Sequence, residues 1–363
     1  MATAQATFDY RDRHDGFART HFRRVGSRAV SSVGLGTHQG APTGAVDDDA
    51  REALVAALEA GSNVVDTAAN YRAGRSEPVV GDAIAAADVP RESVFVATKG
   101  GYVPFDGERP SNPGRYVYRE FVETGLVDEA DLAHGQHSVA PAFVDAMLDR
   151  SLSRLGLDTV DCYYVHEPEV QLDVRSRAAV YDALETTFRL LEERAAAGDI
   201  RHYGVATWDA FRVPRGHDRY LSLPEVVSRA RAAAEAAGAD STHLRCLQVP
   251  FNVTMADAFT VEAHRGAEGD QCALWFARDA GLDVFTSAAL AQGRLTDEAA
   301  FPEDVYAELA GETPAQRAIN FARSAPGVTA ALVGTTDAEH AREDVDAGRH
   351  EPLGAGAFDA VFE

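Results

Sequence analysis

The chain has 363 residues, and among its 34 lysines and arginines only Lys99 is a lysine. Arginine serves wherever charge alone is needed, because a guanidinium effectively never loses its proton. A lysine kept in such a chain points to a task that needs a compact, titratable ammonium. Cysteine is also scarce. Cys162, Cys246 and Cys272 are odd in number and lack zinc-site spacing. This excludes a disulfide framework, makes the buried thiols inert and leads us to expect a reducing, cytoplasmic home. Positive charge is in short supply: 57 acidic residues give a net charge of −23. That excludes nonspecific attachment to nucleic acid or anionic membranes, both polyanions. No apolar run reaches membrane-spanning length, and Met1 to Arg24 is polar, without an apolar signal core.

The sequence does contain a regular alternation. Strand-like runs at Val30–Thr37, Asn63–Thr67, Val94–Lys99, Thr159–His166, His202–Thr207, Leu244–Phe251, Asp283–Ser287 and Val328–Thr335 alternate with helical periodicity between them. Ala45 to Gly61 carries Asp47, Asp48 and Asp49 at its head, where acids suit the positive end of a helix. About eight strand–helix units, with no Gly-x-Gly-x-x-Gly turn after the first strand, predict a single-domain (β/α)8 TIM barrel rather than an open doubly wound sheet. Residues 1–28 read as an N-terminal arm and 29–363 as the barrel, with a long insertion at about 100–140. All three long loops follow strands, so they crowd the C-terminal face, where barrel enzymes place their chemistry. The insertion carries Tyr102, Phe105, Arg109, Arg115 and Tyr116, which reads as a lid; Tyr102 and Trp208 are candidate substrate contacts. His134 and His137 have no third ligand nearby, so no metal site is expected.

Asp66, Lys99 and His166 each end such a run, and Tyr71 stands five residues past Asp66. The order and spacing of Asp66-Thr67-Ala68-Ala69-Asn70-Tyr71, Ser76-Glu77, Gly81 and Thr98-Lys99 resemble the signature of the aldo-keto reductases. The resemblance implies an NAD(P)(H)-dependent oxidoreductase acting on an aldehyde, a ketone, or the corresponding alcohol or sugar. In it Tyr71 is the general acid/base, Lys99 lowers its pKa, Asp66 pairs with Lys99, and His166 orients the carbonyl.

The resemblance continues to Asp344 and implies a cofactor site. Gln248 would hold the nicotinamide carboxamide, with Gly36, Thr37, Ala206 and Thr207 nearby. Ser287, Leu290, Gln292 and Gly293 would cover the pyrophosphate. Gly334, Thr335, Thr336, His340, Glu343 and Asp344 would meet the adenosine end, where amides at a helix start suit a phosphate. Gly204-Val205-Ala206-Thr207 replaces the usual Gly-Val-Ser-Asn. The stacking tyrosine is absent near Thr286, leaving Phe285 or Trp208 as substitutes. His340 stands for the usual arginine, and Glu343-Asp344 for Glu-Asn, with Arg342 a second phosphate contact. NADP(H) is favoured and NAD(H) is possible. The remaining alternatives are a nicotinamide-binding sensor on the same fold and an aldolase using Lys99 as Schiff-base nucleophile. The acidic, lysine-poor, alanine-rich composition resembles that of salt-in halophiles and implies a need for molar salt.

Overall fold

The computed structural model describes residues 1–362, with the backbone alone for Asp304. Eight parallel strands close into a barrel: β1 Val33–Gly36, β2 Val64–Asp66, β3 Phe95–Gly100, β4 Val160–His166, β5 Ile200–Ala206, β6 Leu244–Pro250, β7 Asp283–Ser287 and β8 Val328–Val333. Each strand pairs with its neighbours in sequence, and β8 pairs with β1. A main helix follows each strand, with shorter helices in some of the loops: α1 Gly44–Ala60, α2 Ser76–Ala86, α3 Pro141–Leu155, α4 Arg177–Ala197, α5 Leu223–Ala237, α6 Ala273–Asp279, α7 Pro314–Ser324 and α8 Ala338–Asp346. The strands are covered on both faces, which is why they read as nearly continuous apolar runs; all seven residues of β4 are buried.

Alternate residues separate two cores. Phe95, Ala97, Cys162, Tyr164, Cys246, Phe285 and Leu332 fill the barrel. Val65, Val96, Val165, Val205, Leu247 and Val284 face the helices. Strands approach closely inside: a Cβ on Gly204 would meet the Cys246 carbonyl oxygen at 2.3 Å. The bottom is plugged by Val25 and Val30. These come from an antiparallel hairpin, Phe22–Val25 with Arg28–Ser31, that follows a helix at Ala4–Asp12.

That hairpin corrects the first strand. The run Val30–Thr37 is not one element: Arg28–Ser31 pairs within the hairpin and only Val33–Gly36 enters the barrel. The chain turns at two serines that satisfy the bend. The Ser31 hydroxyl donates to the Val33 carbonyl (2.7 Å), and the Ser32 N–H donates to the His21 carbonyl (2.6 Å). Only these two buried serines interrupt the apolar pattern, because the segments on both sides are buried.

The insertion after β3 has its own small core. Val103, Val117, Phe121, Val127 and Leu132 pack on Phe143 and Met147 of α3, and the Arg150 guanidinium lies over the Phe121 ring. Among the described residues no helix is long and apolar enough to cross a membrane.

Candidate active site

The strand ends open into one cavity of about 1010 Å³. Asp66 ends β2, Lys99 is the penultimate residue of β3, and His166 ends β4. Tyr71 begins a tight turn, Tyr71–Gly74, in which Arg72 and Ala73 take left-handed φ of 50° and 58°. The turn is held from α1: Asp47 accepts from the Arg72 guanidinium at 2.5 Å, and Arg75 pairs with the other oxygen of the same carboxylate. This anchoring maintains the unfavourable backbone and so fixes where Tyr71 points.

Lys99 is fully buried. Its Nζ donates to Asp66 Oδ1 and, at 2.8 Å, to the Thr67 carbonyl. It also lies 4.7 Å from the centre of the Tyr71 ring. The second Asp66 oxygen accepts from Gln248 Nε2 at 2.8 Å. Burial alone would lower the Lys99 pKa, but Asp66 and Tyr71 more than offset it and the net shift is upward. Burial pushes the Asp66 carboxyl up, while Lys99 and Gln248 pull it back. The ammonium–carboxylate pair is therefore the stable state.

For Tyr71 the balance differs from the sequence expectation. Burial pushes the phenol above its ordinary value, and the opposing pull of Lys99 does not overcome it. The lysine tempers a desolvation effect that sequence cannot reveal. His166 is shifted well below its usual range, by burial first and then by Lys99, so its imidazole is neutral near pH 7. Its ring lies edge-on to Tyr71 (5.9 Å) and Tyr102 (5.2 Å). His166 Nδ1 is buried and has no hydrogen-bond partner among the described residues.

Of the expected catalytic residues all but Lys99 line this cavity, as do Tyr102 and Trp208. Lys99 stands behind Asp66 and Tyr71. Gly36, Thr37, Ala206, Thr207 and Gln248 lie around the reacting end. Ser287, Leu290, Gln292 and Gly293 form one wall, and Gly334, Thr335, Thr336, His340, Glu343 and Asp344 the far end. Sequence reasoning misses His38, Gln39, Asn70 and Glu167, which also line it. Asn70 and Glu167 adjoin matched residues, and that adjacency is the one signal the sequence offers for them.

The far wall fits a dinucleotide. Ala288, Ala291, Gln292 and Gly293 all have positive φ (58°, 48°, 58° and 87°). The step from Leu290 (φ −94°, ψ 8°) to left-handed Ala291 is the change of hand that turns successive backbone N–H groups to one side and forms an anion-binding concavity. The buried Thr207 hydroxyl has no partner among the described residues. Three expectations change here. Phe285 stacks on Phe95 inside the barrel at 5.4 Å and is not among the lining residues, which leaves Trp208. The start of α8 is already capped, because Asp337 accepts from the Glu339 and His340 N–H groups at 2.8 and 3.0 Å. Arg342 donates back to the Ala338 carbonyl and does not line the cavity.

The insertion does not form the expected lid. Of its aromatics and arginines only Tyr102 reaches the cavity, while Tyr116 packs on Phe105 and Phe121. His134 pairs with Asp173 at 2.6 Å. His137 Nδ1 accepts from Gln171, so its Nε2–H donates to the His166 carbonyl at 2.7 Å. It is a buried strut for β4, and burial lowers its pKa to about 4. Gly101, where a Cβ would meet the same carbonyl oxygen at 2.7 Å, completes that contact. Among the described residues no three His, Cys, Asp or Glu side chains cluster to hold a metal.

The chain is similar to several known proteins. A 31% identity over 186 residues links the chain to the NADH-specific methylglyoxal reductase of Escherichia coli, covering 50% of this chain and 49% of that protein. A 27% identity over 195 residues links it to the 6-dehydroglucose reductase of Novosphingobium aromaticivorans, covering 52% and 51%. The matches thus span about half the length of these curated relatives. In structure, the chain is similar to the glycerol dehydrogenase of Gluconobacter oxydans, with TM-score 0.63, 20% identity and 95% of each chain covered. It is also similar to an aldo-keto reductase from Klebsiella pneumoniae solved with NADPH, with TM-score 0.58, 22% identity and coverage of 92% and 91%. At these identities the structural likeness speaks for the fold. Residues 32–222, more than half of the sequence, match the profile of the aldo/keto reductase family, and the chain belongs to that family.

Proposed function

We propose that this protein transfers hydride between a nicotinamide dinucleotide and a carbonyl or alcohol, with Tyr71 as the proton donor and acceptor. The observation that carries the reading is the buried Lys99 ammonium, fixed by Asp66 and Thr67 against the Tyr71 ring at the cavity floor. The dinucleotide, when bound, supplies the hydride. Tyr71 gives its proton to the carbonyl oxygen, and Lys99 stabilises the phenolate left behind. Neutral His166 holds the same oxygen by hydrogen bonding. Gln248, whose Nε2 is engaged by Asp66, offers its Oε1 to the carboxamide.

The Schiff-base reading fares poorly. A nucleophilic lysine must be neutral and reachable, whereas Lys99 is buried, ion-paired and shifted upward. For the cofactor, the family resemblance favours NADP(H). The capped α8 start, the averted Arg342 and the buried Asp344 carboxyl favour NAD(H). The curated relative from Escherichia coli is named NADH-specific.

The test is a parallel fluorescence titration of NADH and NADPH in molar potassium chloride, followed by an aldehyde screen with wild type and Tyr71→Phe. Binding of either dinucleotide by both proteins is expected, with turnover falling roughly 10²–10⁴-fold in the variant. A folded protein that binds neither dinucleotide overturns the reading. An output that survives Tyr71→Phe would instead mark a sensor.

A further inference from the structure

One carboxylate in the cavity takes no part in the proposed proton transfer. Glu167 follows His166 directly and adopts a left-handed backbone, φ 45° and ψ 56°. Non-glycine residues avoid this region, and where one is held there the strain commonly serves a site. Its N–H donates to the Ala206 carbonyl at 2.6 Å, which pins the residue at the junction of β4 and β5. The side chain is thereby turned into the cavity beside His166, Tyr102 and Trp208.

The two carboxylate oxygens are in different positions. Oε2 accepts from the Tyr102 hydroxyl. Tyr102 is itself wedged edge-on against His166 and His137, so the carboxylate is held from outside the site. Oε1 stands 4.0 Å from His166 Nε2, and among the described residues nothing donates to it. An ionised carboxylate only accepts hydrogen bonds, and its free oxygen calls for a donor. The same cavity is lined by Asn70, His38 and Trp208, the last 37% exposed. Among the described residues no arginine or lysine lines the cavity. The nearby Arg219 is turned to Asp173 (2.6 Å) and to the Glu169 carbonyl.

Resting on the hydride-transfer reading above, we infer that Glu167, with Trp208, selects a neutral, polyhydroxylated substrate such as a hydroxyaldehyde or sugar and excludes carboxylated aldehydes. Hydroxyls beside the carbonyl donate to Oε1, and charge assistance strengthens those bonds. The indole packs on the C–H face of the substrate. A substrate carboxylate meets a fixed like charge, and among the described residues no cation lines the cavity to pair with it, so rejection is built in by repulsion.

The test compares glyceraldehyde, propanal and succinic semialdehyde as substrates of wild type and Glu167→Gln, with the preferred dinucleotide. Wild type is expected to favour glyceraldehyde over each of the others by about tenfold or more in kcat/KM. The variant keeps the shape but loses the charge, so the preference over succinic semialdehyde falls by about tenfold, through KM. Equal use of the three aldehydes by wild type, or ratios unmoved in the variant, overturns the inference while leaving hydride transfer intact. A binding arm is independent of turnover: calorimetric titration of dinucleotide-loaded Tyr71→Phe with xylitol and with succinate. If no aldehyde reacts, the hydride reading falls by itself, and this arm still decides. Xylitol binding that weakens when Glu167→Gln is added supports the selection; tighter binding of succinate than of xylitol overturns it.

Discussion

Lys99 Nζ lies 4.7 Å from the centre of the Tyr71 ring while donating to Asp66 on its other side. The ammonium thus joins a buried carboxylate to a buried phenol, and the two roles separate by mutation. Lys99→Met removes the cation and leaves Asp66 buried without its charge partner. Breaking such a pair typically costs roughly 3–5 kcal/mol. The expected urea denaturation shows that loss, together with abolished turnover. Adding Asp66→Asn to Lys99→Met should recover part of the stability and none of the activity. If the single variant is as stable as wild type, the ion pair is not formed.

The upward shift of Tyr71 and the downward shift of His166 set the pH dependence. Reduction needs the phenol protonated and oxidation needs it deprotonated. The phenol stays protonated past its ordinary value, so reduction should be flat from about pH 6.5 to about 9 while oxidation rises through the same range. Since His166 gains its proton only well below its usual value, no inflection near pH 6.5 is expected. Initial rates in both directions, at saturating dinucleotide, check this. An oxidation rate independent of pH would remove Tyr71 as the base.

The barrel and the residues that gather at the mouth of its cavity are legible in the amino-acid sequence. Strand–helix alternation depends on local periodicity, and Asp66, Lys99 and His166 sit at strand ends that the periodicity marks. What the sequence hides depends on tertiary contacts. The break at Ser32 is easily missed because hairpin and barrel both bury their residues, and only the two buried serines Ser31 and Ser32 separate the apolar runs. The bond from Gln248 to Asp66 spans 182 positions. Glu167 stays hidden because its left-handed turn has no glycine or asparagine to announce it. The direction of the Tyr71 shift depends on its burial, which composition does not supply.

Asp344 predicts a pH-dependent stability. Burial, then Glu343, raises its carboxyl from the ordinary 3.8 to about 7. Below the ordinary value the group is protonated folded and unfolded, and nothing is lost. As pH rises toward the folded value, only the unfolded chain ionises, so folding weakens until both states are charged. Asp344→Asn should therefore stabilise the ligand-free protein at pH 8, by on the order of a few kcal/mol, and by only about 0.6 kcal/mol at pH 4, just above the ordinary value. Chemical denaturation at the two pH values checks it; equal gains at both would assign the effect to packing.

The excess of acid is visible in the ion pairs. Arg194 meets Asp145, Asp149 and Asp199. Arg229 meets Asp182, Glu185 and Glu225. Each guanidinium faces three carboxylates, so these clusters remain negative and add to the net charge of −23. Screening should relieve that repulsion. We expect the melting temperature to rise by several degrees between 0.1 and about 2 M potassium chloride, with activity rising in parallel. Full stability and activity at low salt would discard the halophilic reading.

Glu169 ties the two loops that carry the proposed substrate contacts. It is buried just past β4, and its Oε1 accepts from the backbone N–H groups of Trp208, Asp209 and Ala210 at 2.7, 2.9 and 3.4 Å. Those residues begin the loop after β5, so one side chain fixes Trp208 relative to Glu167. Burial and the charge of Glu167 raise the Glu169 pKa to about 7 in spite of the N–H donors. Removing the acceptor strands three donors and frees the loop. Glu169→Ala should raise KM for a hydroxyaldehyde several-fold with little change in kcat, because the proposed proton donor is untouched. It should also make Trp208 more accessible to acrylamide quenching. Glu169→Gln retains a carbonyl acceptor of the same reach and should restore most of both properties. If kcat falls and KM holds in Glu169→Ala, the tie supports the reacting groups rather than the substrate wall.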